Sequence, residues 1–82
     1  MMEKPGKAGE VYENVIRKYS DIPDVHSTAL YGMAEAKGDQ GKNREEKEYY
    51  RRLIEMYSDS ESPEIQQQVS IARRRYAEVE RN

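Results

Sequence analysis

The chain of 82 residues has no cysteine, which excludes a disulfide framework, a zinc–thiolate site and thiol catalysis. Phenylalanine and tryptophan are also absent, leaving seven tyrosines as the only aromatics. A single histidine leaves no transition-metal ligand set, so neither a metal nor any other cofactor is expected. No apolar run approaches the roughly 20 residues of a membrane span. The opening Met1-Met2-Glu3-Lys4-Pro5-Gly6 leads into a charged region and does not read as a secretion signal, so a cytoplasmic protein is the expectation. One sign of charge does not dominate: 14 basic and 16 acidic residues leave −2, too weak a field to point to nucleic acid or an anionic membrane.

What remains is polar. Hydrophobic residues make up 35% and charged residues 37%, enough for one small domain with a thin core. At roughly 25 cal/mol per Å² such burial barely offsets chain entropy. Long regular helices, self-association or a partner should therefore contribute to stability.

The chain repeats itself. Val11, Tyr12, Val15, Ile16 and Tyr19 recur in spacing as Tyr49, Tyr50, Leu53, Ile54 and Tyr57, 38 residues later. Tyr19-Ser20-Asp21 is matched by Tyr57-Ser58-Asp59. The segments after each stop also correspond. An offset of 40 aligns Val25, Ala29, Gly32 and Ala36 with Ile65, Val69, Ala72 and Tyr76. An offset of 43 aligns Ala29, Met33, Ala34 and Ala36 with Ala72, Tyr76, Ala77 and Val79, and the pattern leaves both registers open. Ser60-Glu61-Ser62-Pro63 supplies the longer linker that either requires.

These stripes predict four helices within 1–82, at roughly 7–19, 24–37, 43–57 and 63–80. Gly38 and Gly41 bracket a turn. Asn43 and Glu46 have capping-box spacing, and Ser62 precedes Pro63 as N-cap before a first-position proline. Glu13–Arg17 and Glu48–Arg52 are i,i+4 pairs in the favourable order. No segment alternates with period two, so no strand is predicted, and the short connections imply antiparallel neighbours. Tyr12, Tyr19, Tyr50, Tyr57 and Tyr76 fall on the stripes as core residues, whereas Tyr31 and Tyr49 are undecided.

Candidate chemistry is sparse. His26, in a first helical turn, reads as a surface residue. Gly38-Asp39-Gln40-Gly41-Lys42 lacks the preceding strand and the following Ser or Thr of a phosphate loop, and a turn explains its glycines. The acidic groups Asp21/Asp24 and Glu45/Glu46/Glu48 read as solvated surface. With no nucleophile–base pair, an enzyme is not expected. Arg73, Arg74 and Arg75 fan over about 200° of a helix. Arg51 and Arg52 would join them if the last two helices pack side by side. A small helical nucleic-acid-associated or regulatory protein is thus the alternative reading; balanced charge and tyrosines on apolar stripes weigh against it.

Ser27 to Tyr57 resembles one tetratricopeptide repeat. Taking Ser27 as the first position, Leu30 stands at the large apolar position, Ala34 at the small one, Gly41 at the turn glycine and Tyr50 at the second-helix aromatic. Val11 to Tyr19 then resembles the second helix of a preceding repeat, and 63–80 the first helix of a following one. Lys37, Glu46 and Leu53 depart from the pattern, standing where Tyr, a small residue and Ala are common. The resemblance implies an all-α fold of about four antiparallel helices forming two hairpins in a right-handed α-α array. It further implies a non-enzymatic protein–protein interaction or scaffold module that binds another protein or peptide. The family's groove is lined from first helices, here Thr28, Tyr31, Glu35 and Gly38, then Ile71, Arg74, Arg75 and Glu78. Tyr31, Glu35, Ile71, Arg74, Arg75 and Glu78 are therefore the candidate partner-binding residues. The family's Lys/Asn clamp for a terminal carboxylate is missing, because Tyr31 and Glu35 occupy its positions, although Arg74 and Arg75 could take an acidic ligand. An array that begins and ends mid-repeat leaves faces carrying Val11, Val15, Tyr76 and Val79 in need of cover, so a homo-oligomer is expected.

Overall fold

The computed structural model describes residues 5–81, with side chains from residue 9 onward; Met1 to Lys4 and Asn82, with the expectations that fall on them, lie outside the described residues. Four helices follow one another: α1 (Pro5–Lys18), α2 (Pro23–Asp39), α3 (Asn43–Tyr57) and α4 (Pro63–Arg81). No strand occurs among the described residues.

Local chemistry sets the boundaries. Pro23 and Pro63 both open helices, where a missing N–H is harmless, and their separation of 40 residues selects the first of the two registers. Ala29 and Val69, then Gly32 and Ala72, are accordingly buried at matching positions. Ser62 caps α4 as expected, its Oγ accepting from Ile65 N–H at 3.3 Å. The end of α2 is closed by a Schellman pair: Lys42 N–H donates to the Lys37 carbonyl at 2.9 Å and Gly41 N–H to that of Gly38 at 3.0 Å. This closure holds Gly41 at φ 74°, in the left-handed region open to glycine at little strain. The capping box at α3 does not form. Lys42 is the N-cap without a side-chain bond, and Asn43 is already helical. Glu46 turns inward instead and is 5% exposed.

The helices pack as an open series: α1 on α2, α2 on α3, α3 on α4. In addition α2 touches α4, whereas among the described residues α1 touches neither α3 nor α4. The array is therefore not a closed bundle. Helices α2 and α4 converge while α1 and α3 splay, which curves the slab toward the α2–α4 face. Its extents are 40 × 32 × 17 Å. Leu30, Ala34, Tyr50, Leu53 and Ala72 form the enclosed core, with Ile16, Tyr31, Tyr49, Ile54, Tyr57 and Tyr76 against it. Leu53, although larger than the usual alanine, is fully buried.

Several surface expectations change. Glu48 pairs with Arg51, which also meets Glu55 at 3.0 Å, while Arg52 lies 5.2 Å from the centre of the Tyr49 ring. No pair within 4 Å joins Glu13 to Arg17 among the described residues. Tyr19 is exposed, not core, and so is Val25. Tyr57, the counterpart of Tyr19, is covered by α2 through His26, whereas among the described residues no helix occupies the equivalent place beside α1.

Candidate functional site

The α2–α4 face is stitched at one end by Gln68 Nε2 donating to Thr28 Oγ1 at 3.0 Å. These two residues are 40 apart, as the repeat requires. Further along, Tyr31 and Glu35 of α2 stand opposite Arg74 and Arg75 of α4. Burial raises the Tyr31 phenol above its ordinary range; the nearby Glu35 carboxylate adds to this, while Arg75 and Arg74 oppose it. The Tyr31 ring tilts against that of Tyr50 at 6.2 Å between centres. Ile71 is half-buried beside them, and Glu35, Arg74, Arg75 and Glu78 are exposed. The structure thus gathers the predicted partner-binding residues on one face.

At the far end the groove deepens into a polar cleft of about 390 Å³. Glu35, Gly38 and Asp39 line it from α2, Asn43 and Glu46 from α3, and Arg75, Glu78 and Val79 from α4. Arg75 Nη1 lies 3.8 Å from Glu78 Oε1. The enclosed Tyr50 hydroxyl has no hydrogen-bond partner of good geometry among the described residues. Desolvation raises its phenol, and the nearby Arg75 guanidinium only partly offsets this.

Glu46 and Gly38 escaped sequence reasoning as a pair. A Cβ at Gly38 would stand 2.6 Å from Glu46 Oε2, so the absence of a side chain on α2 makes room for the carboxylate from α3. The signal was present as a large residue at a small position of the second helix, facing a glycine near the end of the first. His26 was also misplaced. It is 4% exposed, with Nδ1 hydrogen-bonded to Tyr57 Oη at 2.6 Å. Burial, then the nearby Arg52 charge, lowers its pKa below 6.5. It ties α2 to α3 and lies away from the groove.

Of the faces expected to need cover, that of α1 is the more open among the described residues. Val11 is 58% exposed and Val15 is half-buried. Tyr76 and Val79 turn toward α3 instead: Tyr76 lies against the core beneath Lys47, and Val79 lines the cleft. The outer side of α4 is polar. The five arginines Arg51, Arg52, Arg73, Arg74 and Arg75 do not merge into one patch, because Arg51 and Arg52 are engaged on α3 and Arg75 faces the groove. Among the described residues no group of three or more His, Asp or Glu could hold a metal ion. No described helix is long and apolar enough to cross a membrane.

Comparison with curated proteins and with solved structures found no match. A family model for the tetratricopeptide repeat matches residues 28–60. That stretch begins one residue after the position assigned as the start of the repeat, and it spans most of α2 and all of α3. Over residues 28–60 the chain is thus similar to a tetratricopeptide repeat, and α1 and α4 flank that stretch in an all-α array consistent with tetratricopeptide-like packing.

Proposed function

We propose that the chain is a non-catalytic interaction module whose α2–α4 face receives an extended or helical segment of another protein. The carrying observation is that α2 and α4 meet while α1 and α3 splay, which leaves a concave face bearing Tyr31, Glu35, Ile71, Arg74, Arg75 and Glu78. Half-buried Tyr31 and Ile71 provide apolar anchors, and the charged residues around them provide a polar rim, a division typical of peptide grooves. Selection of randomised displayed peptides on the protein tests this. Binding of the selected peptides should weaken about tenfold or more with Tyr31→Ala or Ile71→Asp, in line with loss of an anchor. Unchanged binding in both variants would contradict the reading.

A second reading concerns self-association. Leu53 of α3 is enclosed, while its counterpart Val15 of α1 is not, and Val11 beside it is the most exposed of the large hydrophobic residues described. The α1 face is built like that of α3, but among the described residues no helix lies against it. A second copy of the chain supplies that cover, α1 against α1, and the protein acts as a small self-assembling scaffold. The nucleic-acid alternative has no comparable support, since its arginines point to different faces.

A further inference from the structure

We infer that the polar cleft at the end of the groove receives a cationic side chain, lysine or arginine, from the bound partner; the inference rests on the groove reading above and adds the chemistry of the ligand. Four carboxylates, from Glu35, Asp39, Glu46 and Glu78, line the cleft against one cation, Arg75. Arg75 is drawn to Glu78 at 3.8 Å. Lys37, near them in sequence, is held by Glu45 at 3.0 Å.

Glu46 is the second, independent sign. Its side chain lines the cleft, only 5% of the residue is exposed, and among the described residues it takes part in none of the ion pairs. A carboxylate on so enclosed a residue is normally found paired. Desolvation raises the Glu46 carboxyl, Asp39 adds to this, and the pull of Arg75 does not compensate. An ammonium or guanidinium group entering the cleft would supply the missing donor. The cleft opens onto the groove where Tyr31 and Ile71 would hold the partner's backbone, so a side chain of that partner is the natural occupant.

The peptides selected on the full chain decide the matter. They should share a fixed lysine or arginine, and its replacement by glutamine should weaken binding about tenfold or more. Glu46→Gln should weaken the same peptides to a similar degree, and so should Glu35→Gln, an exposed position whose change leaves the fold intact. Selected peptides that are neutral or acidic at every position, yet lose affinity with Ile71→Asp, would overturn the cationic assignment while sustaining the groove. Basic peptides that bind both glutamine variants as tightly as the parent would overturn it as well. Binding of the selected peptides unchanged by both Ile71→Asp and Tyr31→Ala would remove the groove reading itself.

Discussion

Two buried ionisable residues, Glu46 and His26, set how this protein should respond to pH, and they act in opposite directions. The folded-state pKa of Glu46 is raised above its ordinary 4.5, so its favourable contribution is complete below that value and is lost as pH rises through the folded value. Glu46→Gln should therefore stabilise the protein at about pH 7, with the gain vanishing toward about pH 4, as read by urea unfolding at both. A Gln variant less stable than the parent at neutral pH would mean that the carboxylate is already paired. The His26 pKa is lowered from 6.5, so its contribution is present above that value and is lost as pH falls through the folded one. In a background of Glu46→Gln, acidification below about pH 6.5 should destabilise the protein, and His26→Gln should flatten that slope. Neither residue declared itself in the sequence. Glu46 looked like half of a capping box and His26 like surface, because capping and exposure are local readings, whereas Gly38 and Tyr57 come from other helices.

Helix boundaries were legible because they rest on local chemistry: prolines at first positions, Ser62 as a cap and Gly41 as a stop. The loop between α3 and α4 was not. Gln66 Nε2 reaches back to the carbonyls of Ser58 at 2.9 Å and Ser60 at 2.7 Å, with that of Tyr57 at 3.4 Å. It satisfies the carbonyls of Ser58 and Ser60 beyond the end of α3, whereas that of Tyr57 also accepts from Ser60 N–H at 3.1 Å. Gln66→Ala should destabilise the protein by about 1–3 kcal/mol, more than an ordinary helical surface change, as measured by chemical denaturation. A loss within about 0.5 kcal/mol would show that water serves these carbonyls equally well. Spacing between helices could not reveal this clamp, since a glutamine on a helix has no periodic signature.

For the molecule as a whole, the repeat pattern named the apolar stripes but not which of them a neighbour would cover. Tyr50 and Tyr12 share a position in the repeat, yet only Tyr50 lies between two layers. The same ambiguity assigned Tyr76 and Val79 to an open end when they face α3. If a second copy covers α1, light scattering should show mass rising with concentration, and Val11→Glu should hold the protein monomeric with its helicity intact. A parent that stays monomeric across the range would leave α1 without that role.

The most direct test of the central claim, that the α2–α4 face is where this module binds, is amide chemical-shift mapping with a selected peptide. Shifts should concentrate at Tyr31, Glu35, Ile71, Arg75 and Glu78, with the amides of Arg44, Arg51 and Met56 on α3 unmoved. Shifts clustered on α1 or on the outer side of α3, with the groove residues silent, would contradict it.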